Sequence, residues 1–341
     1  MNIAIDIGLL ILGFVFLSKG ADWFVDGASG IATKLKIPQI VIGLTIVAMG
    51  TSAPEAAVSI SSALQGSADI TIGNVVGSNI MNVLIILGLS AVITKLAVQK
   101  STKWVDIPVT LGITVLLLLL GLDGWISLVD GLILLACFAA YMTYLFVMTK
   151  KHPQQNEENE APVITKKHFL LKAIIMAVVG LAAIIGGSEL AVEGATGLAK
   201  AMGISERIIG LTVIALGTSL PELFTSVAAA IKKNSDIAIG NIVGSNIFNI
   251  LMVVGLSAVI TPVEFQAPFR IDILFAILAM VILFVSCLVF KKVGRISGIL
   301  MLLTYGGYFV YLLFSNDASP AVPEAGETLS SVTQSAMCLF L

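Results

Sequence analysis

One stretch of 52 residues occurs twice in this 341-residue chain. Gly43–Thr94 aligns with Gly210–Thr261 at an offset of 167 without a gap, and 30 of the 52 positions are identical. The match extends upstream more weakly. Gly20, Gly27 and Gly30 pair with Gly187, Gly194 and Gly197, while Asp22 and Asp26 pair with Glu189 and Glu193. A duplication of this length makes the chain two copies of one structural unit. The medium of those copies follows from composition: 57% of residues are hydrophobic and 12% charged, against about half and about a quarter in soluble domains. The chain reads as an integral membrane protein.

A spanning helix needs about 20 mostly apolar residues. Ten segments qualify: 4–25, 39–64, 70–94, 105–121, 126–149, 169–193, 206–231, 237–261, 270–290 and 296–315. The polar residues 150–168 divide them into two sets of five, and from Asn316 the chain turns to Ser, Thr, Pro, Ala and Glu. Residues 1–149 and 169–315 are thus expected to be two five-helix repeats, joined by a linker and followed by a disordered tail, 316–341. Five is odd, so the second repeat enters the membrane upside down. The expected fold is all-α: ten transmembrane helices as two inverted-topology repeats, a plan that places substrate near the midplane between the halves. Fifteen of the 19 Lys and Arg residues fall in loops of one side or in the linker. This bias places the linker in the cytoplasm and both termini outside the cell membrane. Asp6 and the lack of a basic leader argue against a cleaved signal peptide.

At the centre of an apolar run lies Gly50-Thr51-Ser52-Ala53-Pro54-Glu55, repeated as Gly217-Thr218-Ser219-Leu220-Pro221-Glu222. Proline has no N–H, so Pro54 and Pro221 deprive the carbonyls of Gly50 and Gly217 of their helical partners. Helical spacing puts Ala48, Thr51, Ser52, Glu55 and Ser59 on one face. An ionisable residue inside the membrane marks a functional site by default. Each repeat also carries G-N-x-x-G-S-N-x-x-N, from Gly73 to Asn82 and from Gly240 to Asn249. Asn74, Ser78 and Asn82 form one polar stripe, as do Asn241, Ser245 and Asn249. The paired glycines Gly73/Gly77 and Gly240/Gly244 allow close backbone packing. Pseudo-symmetry then brings Glu55 and Glu222 together, where two carboxylates in low dielectric need cations or a proton to coexist. The donors are all oxygen, which selects hard cations; Ca2+ takes about six to eight oxygens in flexible geometry. Two carboxylates balance one Ca2+ or two monovalent ions, and mutually exclusive occupancy is the physical basis of exchange.

These residues resemble the paired α-repeats of the sodium/calcium exchanger family, within the cation/calcium antiporter superfamily. The likeness covers nearly all of residues 1–315, and its signatures are G-T-S-x-P-E and G-N-x-x-G-S-N, twice each. It implies countertransport of Ca2+ against Na+ by alternating access, with spans 1 and 6 sliding across the other eight. Carried over, Glu55 and Glu222 are the shared Ca2+ and Na+ ligands. Ser52, Ser219, Ser78 and Ser245 supply hydroxyls to flanking Na+ sites. Thr51 and Thr218 offer backbone carbonyls to Ca2+, Ala48 and Ala215 offer carbonyls to Na+, and Asn82 and Asn249 complete the centre. Some members have an Asp where this chain has Asn249. The linker is too short for a calcium-sensing domain.

The lipid bilayer and the two transported ions are the expected partners. No cofactor and no enzymatic activity are expected, and the doubled motif implies that a monomer suffices. No basic stripe indicates nucleic acid. Cys137, Cys287 and Cys338 form neither a disulfide framework nor a zinc pattern. An intramembrane hydrolase needs a Ser-His or Cys-His pair or metal-binding histidines, and the only histidines, His152 and His168, lie in or beside the linker. A channel assembles its filter from identical subunits. The remaining alternative is a Ca2+/H+ antiporter on the same fold. Asp22, Asp26, Glu189 and Glu193 read as interfacial or capping groups, and Asp69 and Asp236 as helix caps.

Overall fold

The computed structural model describes residues 3–64, 69–151, 169–202, 215–290 and 292–314. Nearly all of them are helical. Helix α1 (Ile3–Leu35) leads into a bent pair, α2 (Gln39–Thr51) and α3 (Ala53–Leu64). Then come α4 (Ile70–Ile93), α5 (Thr102–Asp123) and α6 (Leu128–Lys151). The second half runs α7 (Phe169–Ala201), α8 (Ala215–Thr218), α9 (Leu220–Ile231), α10 (Ser235–Ile260), α11 (Ala267–Phe290) and α12 (Arg295–Phe314).

Among the described residues eight helices are long and apolar enough to cross a membrane, and α2–α3, bent by 51°, makes nine if it counts as one span. The tenth expected span, 206–231, is represented by α8 and α9 alone, because residues 203–214 lie outside the described residues. So do residues 152–168 of the linker and the expected tail, 316–341. The all-α expectation holds for nearly all of the described residues, with short strands as the exception. Four two-residue strands, β1 (Leu96–Ala97), β2 (Trp125–Ile126), β3 (Val263–Glu264) and β4 (Lys292–Val293), pair antiparallel as β1–β4 and β2–β3. Each sheet joins one half to the other, with Leu96 opposite Val293 and Trp125 opposite Glu264. The offset of 167 carries β1 onto β3 and β2 onto β4, so the two sheets are copies of one junction. Helix α5 separates β1 from β2 in the chain, which puts the sheets at opposite ends of the bundle.

Helices α1 and α7 have 33 residues each, about 50 Å at about 1.5 Å per residue. That exceeds a hydrocarbon core of about 30 Å, so they cross it obliquely. Both outrun the expected spans at their C-terminal ends. Hydropathy registers only the lipid-matched part, whereas no proline or turn signal stops the helix at Asp26 or Glu193. The two pack antiparallel along their whole length through glycines. A Cβ at Gly13 would lie 2.6 Å from the Ala191 nitrogen, one at Gly20 2.8 Å from the Gly180 oxygen, and one at Gly187 2.8 Å from the Leu17 nitrogen. The backbones touch where no methyl group fits, which is how small residues bring membrane helices together.

The polar-stripe helices sit innermost. Within their most apolar stretches 72% of α4 and 83% of α10 is buried, against 22% of α1 and α7. Gly244 packs on α2: a Cβ there would meet the Leu44 Cα and carbonyl oxygen at 2.7 Å. The expected close-packing role holds for Gly240 and Gly244, which touch the helix that carries Ala48 and Thr51, but not for Gly73 and Gly77: a Cβ at Gly73 would meet the Phe269 ring at 3.4 Å and one at Gly77 nothing within 4 Å. Asn234 caps α10, its side chain accepting from the Ile237 N–H at 3.1 Å. Asp236, the expected cap, instead accepts from Gln99 at 2.6 Å.

Candidate cation-binding site

Each glutamate stands in the first turn after a helix break. The break between α2 and α3 is at Ser52, and that between α8 and α9 at Ser219. Pro54 and Pro221 sit just beyond, where the first turn of a helix tolerates a missing N–H. At the first break the Ser52 N–H bonds the Ala48 carbonyl at 3.0 Å, which leaves the Gly50 carbonyl without that donor. The Gly217 carbonyl accepts the Ser188 hydroxyl of α7 at 2.6 Å.

Glu55 and Glu222 are both fully buried. Ser52, three residues before Glu55, donates to Oε1 of Glu222 at 2.6 Å. The Ser245 hydroxyl lies 3.5 Å from the same Oε1 and 3.5 Å from the Ala48 carbonyl oxygen. Ser78 Oγ is 3.4 Å from Oε1 of Glu55 and 3.4 Å from the Ser219 hydroxyl. Both acids, the four serines and the Ala48 carbonyl therefore form one cluster built from both halves.

Side chains of the polar stripes hold the glutamate helices in place. Asn74 donates to the Glu55 carbonyl at 3.2 Å and to the Ser59 hydroxyl at 3.0 Å. Asn241 donates to the Glu222 carbonyl at 3.4 Å and to the Ser226 hydroxyl at 2.9 Å, and accepts from Thr51 at 3.0 Å. Thr218 stands at the break beside Ser219, and Ala215 begins α8, with its side chain outside the described residues. Asn82 and Asn249 are fully buried, and each opens a π-helical turn, Asn82–Leu87 and Asn249–Val254. Such widened turns interrupt the regular ladder and are frequent at functional sites. The sequence carries no composition signal for them.

Four oxygens of this set are buried without a hydrogen-bond partner: Oε2 of Glu55, Oε2 of Glu222, Oδ1 of Asn82 and Oδ1 of Asn249. Buried polar atoms are nearly always partnered, and a carboxylate left bare costs most. Two carboxyl and two amide oxygens, with hydroxyls beside them, are donor chemistry suited to a hard cation and ill suited to a softer metal. Ser188 and the asparagines Asn79 and Asn246 join this network without having been singled out from sequence. Asn79 and Asn246 belong to the repeated motif but sit one position off the polar stripe.

A family model described as sodium/calcium exchanger protein matches residues 5–147 and 172–314. CaxA of Alkalimonas amylolytica is 38% identical over 318 residues, covering 90% of this chain and 98% of that one. The sodium/calcium exchanger MaX1 of Methanosarcina acetivorans is 32% identical over 350 residues, 92% of this chain and 99% of that one. Among solved structures, the sodium-calcium exchanger NCX_Mj soaked with 10 mM Na+ and zero Ca2+ superposes with a TM-score of 0.80 at 32% identity, over 91% of this chain and 100% of that one.

Proposed function

The chain belongs to the sodium/calcium exchanger family, and from that premise we propose an antiporter that exchanges Na+ for Ca2+ at one shared site centred on Glu55 and Glu222. The observation that carries this reading is the set of four partnerless buried oxygens, two of them carboxylate, contributed equally by the two halves. One Ca2+ cancels the charge of both acids, and so do two Na+ ions. The site in low dielectric is costly when empty, so one kind of ion leaves as the other arrives.

Within this reading Glu55, Glu222, Asn82 and Asn249 ligate the central ion, with the Thr51 and Thr218 carbonyls. Ser52, Ser78, Ser219 and Ser245, together with the Ala48 and Ala215 carbonyls, form flanking positions for Na+. The ten-span inverted repeat, 1–149 against 169–315, supplies the symmetry that lets the site face either side. The lysine and arginine bias supports a cytoplasmic linker, 150–168, and outside termini. One chain contains both halves of the site, which supports transport by a monomer in the bilayer.

The test is ⁴⁵Ca2+ uptake into proteoliposomes under an imposed Na+ or pH gradient, with an ionophore for each as control. Uptake driven by the Na+ gradient and abolished in Glu55→Gln and Glu222→Gln is the expected result. Wild-type uptake that follows pH and ignores Na+ makes the protein a Ca2+/H+ antiporter instead. Unchanged transport in both variants removes the site.

A further inference from the structure

We propose that Asn79 and Asn246 are positioning residues, which fix the side-chain amides of Asn249 and Asn82 so that both present carbonyl oxygen, and not N–H, to the transported cation. The inference rests on the reading above, in which Asn82 and Asn249 are ligands.

An amide side chain can turn over by half a rotation at little cost in shape, exchanging its oxygen for its nitrogen. A cation ligand has to be locked against this. The lock here starts from a group with no ambiguity. The main-chain carbonyl of Asn246 can only accept, and Nδ2 of Asn79 lies 3.2 Å from it. The nitrogen of Asn79 must face that carbonyl, so its Oδ1 faces away. That Oδ1 is 3.1 Å from Nδ2 of Asn249, which fixes the nitrogen of Asn249 in turn. What remains of Asn249 is Oδ1, buried and without a partner.

The mirror chain is identical. Nδ2 of Asn246 donates to the Asn79 main-chain carbonyl at 3.2 Å. Nδ2 of Asn82 donates to Oδ1 of Asn246 at 3.1 Å, and Oδ1 of Asn82 is the partnerless atom. Turning Asn249 or Asn82 over would set two acceptor oxygens face to face and aim an N–H at the site. The control is crossed between halves. Asn79 in α4 governs Asn249 in α10, whereas Asn246 in α10 governs Asn82 in α4.

The crossing supplies the test. The Ca2+ concentration for half-maximal Na+-driven uptake is measured in proteoliposomes for single and double variants. Asn79→Leu, close in shape but without polar atoms, is expected to raise it about 5- to 10-fold, the value of about one hydrogen bond. In an Asn249→Ala background Asn79→Leu is expected to add less than about twofold, and in an Asn82→Ala background to keep its full effect. Asn246→Leu should show the reverse pattern. Asn249→Asp gives a second readout: a carboxylate offers oxygen from either end and sets one of them against Oδ1 of Asn79, so Asn79→Leu should no longer raise the half-maximal concentration. Should Asn79→Leu not yield folded protein, Asn79→Ala and its mirror Asn246→Ala carry the same comparison. Coupling of equal size to both backgrounds, as a purely structural tie would give, overturns the positioning role while leaving the ligands standing. An Asn249→Ala protein with unaltered Ca2+ dependence overturns the ligand assignment and this inference together.

Discussion

Beside the two glutamates one tie recurs in both halves. Asn74 ties the Glu55 carbonyl and Ser59, as Asn241 ties the Glu222 carbonyl and Ser226. One helix further out the correspondence stops. Ser188 fills the Gly217 carbonyl, whereas the residue 167 positions earlier is Ala21. Lys232 at the end of α9 pairs with Asp26 of α1 at 2.6 Å and with the Asp22 main-chain carbonyl at 2.8 Å, while its counterpart in the first half is Gln65. Asp22 and Asp26, expected as interfacial or capping groups, are thus one side of a bridge between the long helix and the core. The lesson is a division of constraint. The proposed site draws ligands from both repeats in equivalent places, so the centre keeps its duplication. The contacts of α1 and α7 with the core meet no such demand, and there the repeats have diverged. The two ends of the molecule are therefore not energetically equivalent.

The comparison is most easily broken at the centre. Removing the charge of Glu55 or of Glu222 leaves the other acid and the cation mismatched in low dielectric, worth about 3–5 kcal/mol. Each Gln variant is expected to lower ⁴⁵Ca2+ uptake by more than about a hundredfold, and by the same factor. A loss confined to one of them would show that the halves are unequal even there. Next in size is Gly244→Ala. The added methyl meets main-chain atoms of Leu44, which cannot swing aside as a side chain would. A destabilisation of about 1–3 kcal/mol is expected, read as a lowered unfolding midpoint of the purified protein in detergent.

Smaller effects sharpen the comparison at the periphery. Ser188→Ala makes the second half resemble the first at this position and strips the Gly217 carbonyl of its hydroxyl. About 1 kcal/mol of stability is expected to go, read in thermal melts of the variant against the parent. Lys232→Gln copies the first half's residue. Its partners are half-exposed, so the loss should be below about 1 kcal/mol and should shrink as salt rises. The measurement is uptake by outward- and inward-facing proteoliposome populations at low and high ionic strength. A change in their ratio that high salt removes is the expected outcome, and an unchanged ratio at low salt excludes a role for the bridge in setting which face is favoured.

Much of this was legible in the sequence, because a carboxylate inside an apolar run has few explanations and a duplicated one has fewer. Proline chemistry marked the carbonyls of Gly50 and Gly217, though not the breaks at Ser52 and Ser219, and the convergence of Glu55 with Glu222 followed from the repeat. The true length of α1 and α7 did not follow, since hydropathy measures lipid contact and their last turns pack on protein. The π-helical turns at Asn82 and Asn249 were hidden because hydrogen-bond register has no residue-type signature. The short strands escaped notice because two-residue segments carry no periodicity. Asn79 and Asn246 lie within the repeated motif but off its polar stripe, and their proposed role depends on contacts with the opposite half.

The seam between α1 and α7 has a consequence for leakage. Two rods joined backbone to backbone over their full length cannot be displaced separately without opening a gap along every glycine, so they travel as one beam. In the proposed exchanger such a beam would act like the bar of a turnstile: the push that clears the passage on one face would carry the obstruction to the other.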